Sequence, residues 1–163
     1  MANNTNSKNK APAQMTLPIE KPSNTLQINF VVDNGCFVPL KAHEADAGFD
    51  LRTPKEVIIP KGKSEVIDTG IHFEIPRGYV GFLKSKSGLN TKHGLLTEGV
   101  IDSGYTGSVR VKVYNNGDGF YRFQKGDKIT QIVFLPIPDV TLNEVDSLED
   151  TPRGNKGFGS SGK

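Results

Sequence analysis

Short runs of alternating apolar and polar residues, separated by glycine and proline, fill most of the chain from Thr25 onward. The clearest strand-like runs cover residues 26–30, 56–60, 64–69, 71–75, 79–83 and 128–135. Turn residues lie between them, and Ser87–His93 is the one stretch for which we predict a short helix. Many short strands with this punctuation predict an all-β fold, a jelly-roll-like barrel or sandwich.

A candidate ligand site lies in the stretch 99–107. Two apolar residues precede Asp102, a Ser-Gly turn follows it, and an alternating strand comes next, which predicts a β-hairpin with a carboxylate at its tip. Gly99 and Gly107 leave bare backbone that a small planar ligand could approach, with Asp102 and Tyr105 facing it. A surface hairpin in which Asp102 only caps the turn fits this stretch equally well.

Length and composition indicate one domain, which we place at residues 24–150, with a real core: the chain has 163 residues, 35% of them hydrophobic. A net charge of +2 argues against a broad nucleic-acid or membrane surface, so we expect neither kind of partner. One cysteine, Cys36, excludes an internal disulfide framework, and without a visible signal peptide we predict a cytoplasmic protein. The histidines His43, His72 and His93 show no metal-binding spacing.

The N-terminal segment is polar and aperiodic, and we predict that positions 1–23 form a disordered tail. Within this tail, Gln14, Leu17 and Ile19 resemble the short peptide with which bacterial replication proteins dock on the sliding clamp. So short a match also arises easily by chance. The sliding clamp is therefore one possible partner, reached through the tail.

Five clusters of polar and glycine residues interrupt the strand pattern. They cover residues 45–51, 84–89, 99–107, 126–131 and 153–162. In order and spacing they resemble the five motifs of the trimeric deoxyuridine triphosphatases (dUTPases), and five motifs in order within one domain are far more specific than any one alone. The resemblance implies a dUTPase-like β-clip fold and a homotrimer that shares each active site among three chains. It also implies Mg²⁺-dependent hydrolysis of dUTP to dUMP and pyrophosphate, which limits uracil incorporation into DNA and supplies dUMP for dTMP synthesis.

The resemblance assigns roles to the hairpin. Asp102 matches the carboxylate that activates the water attacking the α-phosphorus. Tyr105 matches the aromatic residue that packs under the deoxyribose and leaves no space for a 2′-hydroxyl. Uracil is expected to be bound largely by hairpin backbone around Gly99, Val100, Ile101 and Arg110.

The resemblance also implies a phosphate site. Lys86, Ser87 and Gly88 match a cluster that usually reads Arg-Ser-Gly, and lysine keeps the charge but loses the bidentate fork of arginine. Gln131 matches the amide that contacts the α-phosphate. Asp50 resembles the acid that organises magnesium-bound waters, and we expect phosphate oxygens and water, without a direct protein ligand, to hold Mg²⁺.

Residues 151–163 contain the last motif, which is rich in glycine, and are predicted to form a flexible lid that orders on the nucleotide. Phe158 would stack on uracil, Arg153 and Ser160 would hold the γ-phosphate, and Gly159 belongs to the same substrate-binding set.

Two alternatives remain beside the enzyme. A deoxycytidine triphosphate deaminase shares this fold, but that family uses a Glu base and a different hairpin, so the pattern from Asp102 to Tyr105 disfavours it. Some phage-type members of the dUTPase family act as regulators that bind a repressor protein. Lys86 in place of arginine, and an arm with Asn155 and Lys156 where small residues are common, leave this possibility open.

Overall fold

The alternating segments form ten strands and one helix in the computed structural model, which describes residues 25–156. The elements are β1 Asn29–Val32, β2 Phe49–Arg52, β3 Val57–Ile59, β4 Ser64–Asp68, β5 Ile71–Glu74, β6 Tyr79–Lys84, α1 Ser87–His93, β7 Leu95–Ile101, β8 Arg110–Asn115, β9 Tyr121–Phe123 and β10 Lys128–Pro136.

All the strand pairs are antiparallel. Six strands form one sheet in the order β2-β10-β6-β7-β8-β4, and two smaller sheets pair β1 with β5 and β3 with β9. The prediction of an all-β fold is confirmed. Strands β10, β6 and β7 are neighbours in this sheet, and three of the five predicted motifs lie on or next to them.

The core forms because the strands bury every second side chain. In β8, Val111 and Val113 are fully buried while Arg110 and Lys112 face outward, the period of two that half-buried strands require. Burial of each such aliphatic side chain stabilises the fold by about 1.5–3 kcal/mol. The largest fully buried side chains are Phe123, Leu51, Ile59, Ile67, Ile71, Leu83, Leu95, Ile129 and Ile132.

Helix α1 has the predicted bounds. Lys86 precedes it in an extended conformation, with ψ at 131°, and Gly94 ends it in the left-handed conformation, with φ at 66°. A glycine with positive φ is a common way to end a helix. The Gly94 N–H donates to the carbonyl oxygen of Asn90. No helix among residues 25–156 is long and apolar enough to cross a membrane.

Two strands lie where the sequence did not predict them. β2 overlaps the end of the first polar cluster, and its pairing with β10 contains a β-bulge between Lys128 and Thr130. β9 covers only Tyr121–Phe123, in a segment that lacks a clear alternating pattern. The predicted strand at residues 26–30 is shifted, because β1 begins at Asn29.

The hairpin between β7 and β8 is more open than predicted. The two strands pair only where Leu95–Thr97 faces Val113–Asn115. Nearer the loop, Glu98–Ile101 of β7 pairs with β6 alone, and residues 110–112 of β8 pair with β4 alone. The predicted hairpin is present, and its two arms diverge toward the loop that carries Asp102.

Candidate active site

A cavity of about 750 Å³ opens beside the start of α1. Lys86, Ser87 and Gly88 line it from the start of the helix, and Gln131 lines it from β10. The predicted phosphate-binding residues are thus together in one place. Further cationic side chains of the lining are Arg52, Lys92 and Lys128, against the acids Asp46 and Asp127. This excess of positive charge suits a polyanionic ligand.

Asp50 lies between two of these cations. Its side chain is 5% exposed, and its two carboxylate oxygens accept a hydrogen bond from Lys86 Nζ and an ion pair of 2.6 Å from Lys128 Nζ. Burial alone would raise the pKa of Asp50, but the hydrogen bonds from Lys128 and Lys86 outweigh it and hold the pKa below 3.8. The ionised carboxylate therefore fixes both ammonium groups.

The side chain of Gln131 is positioned by a hydrogen bond and by the space that a glycine leaves for it. Its Nε2 donates to the carbonyl oxygen of Ser85 at 3.3 Å, and its side chain lies directly over Gly48. A Cβ at Gly48 would stand 2.5 Å from Gln131 Oε1, closer than atoms can approach. Gly48 therefore belongs to the site through the space that it leaves.

The loop after β7 presents Asp102 and Tyr105 to solvent. The N–H of Tyr105 donates to the Asp102 carbonyl oxygen at 3.2 Å. Gly104 adopts a φ of 85° in this turn, a conformation that glycine reaches without strain. The Tyr105 hydroxyl donates to the carbonyl oxygen of Ser108 at 3.0 Å. The ring covers Gly107, where a Cβ would lie 2.6 Å from Tyr105 Cζ.

The diverging arms leave two backbone edges facing each other. Gly99, Val100 and Ile101 use their other edge to pair with β6, and Arg110 uses its other edge to pair with β4. Strand N–H and C=O groups on the facing edges can hydrogen-bond a planar heterocycle. Arg110 Nε lies 3.6 Å from Asp68 Oδ2 beside this gap.

Within one chain the phosphate residues and the hairpin residues occupy separate parts of the sheet. Gln131 pairs with Lys84 on β6, and Lys84 pairs with Glu98 on β7. Asp102 comes four positions after Glu98 and two strands across from Gln131. The two side chains are therefore far beyond the reach of a hydrogen bond from each other. Among the described residues, the lining of the cavity includes none of the hairpin residues.

The C-terminal arm is described only in part. Arg153 lies in an exposed turn, where its Nε donates to the Lys156 carbonyl oxygen at 3.4 Å. Phe158, Gly159 and Ser160 lie outside the described residues, so the lid stays a prediction. The tail residues Gln14, Leu17 and Ile19 lie outside them as well.

Residues 25–156 contain no group of three or more His, Cys, Asp or Glu side chains that could hold a metal ion. Asp50 already pairs both carboxylate oxygens with lysines. This donor set fits a magnesium ion that arrives on phosphate oxygens and water better than one held by protein ligands. The water-mediated role of Asp50 stays a prediction.

Sequence reasoning missed the roles of Gly48 and Lys128. Lys128 lies in the fourth polar cluster, but only the bulge in β10 explains how it reaches Asp50. Gly48 lies in the first cluster, and its packing against Gln131 depends on the pairing of β2 with β10. A strand assignment at 49–52 would have been the signal for both.

Comparison with known proteins decides the family. The dUTPase family model matches residues 36–162. The chain belongs to the dUTPase family. A deoxyuridine 5′-triphosphate nucleotidohydrolase of Clostridioides difficile is 39% identical over 134 residues, which cover 80% of this dUTPase and 94% of the relative. Its counterpart from Clostridium kluyveri is 40% identical with the same coverage.

Solved structures agree with this assignment. The dUTPase of Staphylococcus bacteriophage 80alpha with dUPNHPP is 31% identical, with a TM-score of 0.79 over 85% of this dUTPase and 100% of that chain. A mutant dUTPase from phage phi11 of S. aureus, described with a structural Mg(II) ion, is 30% identical, with a TM-score of 0.69 over 78% of this chain and 100% of its own. The predicted family and its jelly-roll-like fold are confirmed.

Proposed function

We propose that this dUTPase hydrolyses dUTP to dUMP and pyrophosphate at a site built from the cationic cavity of one chain and the open hairpin of another. The observation that carries the proposal is the open hairpin: two facing backbone edges end at a loop that exposes a carboxylate and an aromatic ring. Membership of the dUTPase family supports the same reaction.

The backbone edges at Gly99–Ile101 and Arg110 would bind uracil. A fixed set of N–H and C=O groups favours a base whose own donors and acceptors match, because a mismatched base leaves buried polar groups unpaired. Cytosine, with an amino group in place of a carbonyl oxygen, is disfavoured for this reason. Tyr105 would pack under the sugar and disfavour a 2′-hydroxyl.

Asp102 would act as the general base. It accepts a proton from a water molecule while the water oxygen forms a bond to the α-phosphorus, and the bond from that phosphorus to the bridging oxygen breaks to release pyrophosphate. Lys86 and the backbone at Ser87 and Gly88 would hold the outer phosphates, and Gln131 would contact the α-phosphate. Magnesium bound to the triphosphate would neutralise part of its negative charge.

The reaction is tested by pyrophosphate release from dUTP, dCTP, dTTP and UTP in the presence of magnesium. We expect selective turnover of dUTP that disappears in Asp102→Asn. Tight dUTP binding without turnover by the unmodified protein would contradict the proposed enzyme and indicate a regulator that has kept the pocket.

Separation of the two residue sets supports an active site shared within a homotrimer. Light scattering should give three times the mass of the chain. Asp102→Asn damages the hairpin residues and Lys86→Met damages the phosphate-binding residues. In trimers mixed from both variants, some sites therefore combine an intact hairpin from one chain with an intact phosphate site from another. We expect co-refolded mixtures to regain activity that neither variant has alone. A mixture that stays inactive would mean that one chain forms the whole site.

A regulatory role is a second candidate. Its support is the structural similarity to the dUTPase of bacteriophage 80alpha. That protein is one of the phage dUTPases described as controlling the transfer of virulence genes. The test is whether a protein partner co-purifies with this chain and dUTP releases it. If no protein partner co-purifies from the cells in which the chain naturally occurs, the regulatory role is contradicted.

Clamp docking through the tail and a cytoplasmic location stay predictions from the sequence. Removal of positions 1–23 should abolish binding to a sliding clamp and leave dUTP turnover intact. Loss of turnover would instead place the tail within the domain.

A further inference from the structure

His72 lies on β5 and reaches the loop that carries Tyr105. Its Nδ1 lies 2.8 Å from the carbonyl oxygen of Thr106, and its Nε2 lies 3.3 Å from Asp33 Oδ2. Asp33 follows β1, which pairs with β5 directly opposite His72 at Val31. The imidazole therefore connects the substrate-side loop to a separate pair of strands.

Both partners of the ring can only accept hydrogen bonds. A neutral imidazole has one N–H, so it can donate to Thr106 or to the Asp33 carboxylate but turns a lone pair toward the other oxygen. The imidazolium has two N–H groups and satisfies both acceptors at once. The geometry itself thus favours the charged ring.

The charges around the ring act in the same direction. Asp33 is the nearest acid, Asp68 on β4 lies farther away, and Glu74 on β5 lines the same surface cavity as the ring. Asp68 is itself engaged by Ser108, and Arg110 lies 3.6 Å from it. The hydrogen bond to Thr106 and the bond to Asp33 raise the pKa of His72 and outweigh the burial that lowers it.

We propose that His72 is a positioning residue, which as an imidazolium holds Thr106 and thereby fixes Tyr105 for binding of the substrate sugar. Tyr105 directly precedes Thr106, and the Thr106 carbonyl belongs to the next planar peptide unit, which joins Thr106 to Gly107. A fixed carbonyl at this point keeps the ring seated over Gly107, with its hydroxyl on Ser108. The assignment rests on the proposed function.

The connection depends on pH in a defined sense. Because folding raises the pKa of His72, both hydrogen bonds of the ring are present at pH values below its ordinary pKa, and one of them is lost as the pH rises through the raised value. Affinity for dUTP should therefore fall as the solution becomes alkaline. His72 uses only contacts within one chain, so this dependence does not require any change of oligomeric state.

The test compares KM for dUTP in the unmodified protein and in His72→Ala, from about pH 6 to about pH 9. The ratio of the two KM values cancels titration of the substrate and of other groups. We expect His72→Ala to raise KM about fivefold at the acidic end and by less at the alkaline end, where the neutral ring keeps only one of its two hydrogen bonds, with little change in kcat.

His72→Gln is the conservative variant, since its amide can donate to Thr106 but does not titrate. It should restore much of the affinity for dUTP. Its affinity should not show the decline at alkaline pH that we expect of the unmodified protein. His43→Gln is the matched control, because His43 lies in an exposed loop, and it should behave like the unmodified protein. A KM ratio for His72→Ala that does not vary with pH would mean a merely structural role.

A binding-independent measurement separates this inference from the proposed function. In a nitrogen NMR titration of the unmodified protein, assigned by His72→Ala, the His72 ring should lose its second proton at a pH above the ordinary imidazole pKa of about 6.5. Asp33→Asn should move the His72 titration to lower pH. A titration at or below the ordinary pKa, or one unchanged by Asp33→Asn, would overturn the proposed role of His72. Absence of dUTP turnover in the unmodified protein would overturn the proposed function alone.

Discussion

The cationic cavity and the hairpin loop are held in place in different ways. In the cavity, buried Asp50 fixes Lys86 and Lys128 by ion pairs, and its side chain is 5% exposed. In the loop, Tyr105 is 45% exposed and depends on hydrogen bonds at the protein surface. Buried ion pairs therefore position the side chains of the cavity, whereas a few exposed hydrogen bonds position the loop.

This difference follows from what each region would bind. Phosphate groups are strongly charged, so a cation that is already oriented loses little conformational freedom on binding them. A base and a sugar are bound by shape and by backbone hydrogen bonds, which an adjustable loop can complete as it closes on them. Changes in the cavity should therefore affect stability and phosphate affinity together, whereas changes in the loop should affect turnover and selectivity with little loss of stability.

The largest effect should come from the loop. Asp102→Asn keeps the size of the side chain but removes the proposed base, so we expect kcat to fall by about a thousandfold with little change in KM or in thermal stability. Pyrophosphate release and thermal unfolding measure both properties. Asp118→Asn, in another exposed turn, is the control and should leave kcat unchanged. A variant at Asp102 that keeps a tenth of the activity would rule out its role as the base.

The cavity should respond with a loss of stability. Asp50→Asn leaves Lys86 and Lys128 without their common carboxylate, and we expect the free energy of unfolding to fall by about 2–3 kcal/mol. KM for dUTP should rise as well, because the lysines lose their orientation.

The same variant has a definite pH dependence. Since the folded state lowers the pKa of Asp50, its contribution is present above the ordinary value of 3.8 and is lost as the pH falls through the lowered one. Urea unfolding of the unmodified protein and of Asp50→Asn should therefore give a difference in the free energy of unfolding that is smaller at acidic than at neutral pH.

Glu56→Gln is the control, because it breaks only an exposed pair with Arg122. It should change stability far less than Asp50→Asn does, since exposed ion pairs contribute little. Equal losses in the two variants would show that the buried carboxylate is not special.

The sequence predicted much of the fold but less of the contacts between its parts. Alternation in β8 and the bounds of α1 were read correctly, because they depend on local pattern and on the glycine that ends the helix. The divergence of β7 from β8 was not predicted, since the outer edges of the two strands pair with β6 and β4, which are distant from them in sequence.

The same limit applies to the site. Lys86, Ser87, Gly88 and Gln131 were predicted from the motifs, and the structure brings them together. The position of Lys128 against Asp50 depends on a bulge, and the fit of Gln131 over Gly48 depends on a strand pair. Neither interaction has a periodic signal in the sequence.

A smaller change in the cavity tests the close packing of its wall. In Gly48→Ala the new methyl group would lie 2.5 Å from Gln131 Oε1, so the amide must leave its position. We expect KM for dUTP to rise about tenfold, equivalent to the loss of one hydrogen bond to a charged group. Gly119→Ala is the matched control, because a Cβ there has open space. An unchanged KM in Gly48→Ala would remove Gln131 from the phosphate contacts.

The corresponding change in the loop should have the smallest effect on affinity and the clearest effect on selectivity. In Gly107→Ala the methyl group would lie 2.6 Å from Tyr105 Cζ, so the ring must move off the turn. Because the loop is exposed, it can adjust, and we expect KM for dUTP to rise only about threefold. Discrimination against UTP should fall by more, since the ring no longer closes the space beside the sugar. Competition between dUTP and UTP measures this ratio directly. If Gly107→Ala raised KM as much as Gly48→Ala and left discrimination intact, the loop would be as rigid as the cavity, and the contrast between the two regions would be wrong.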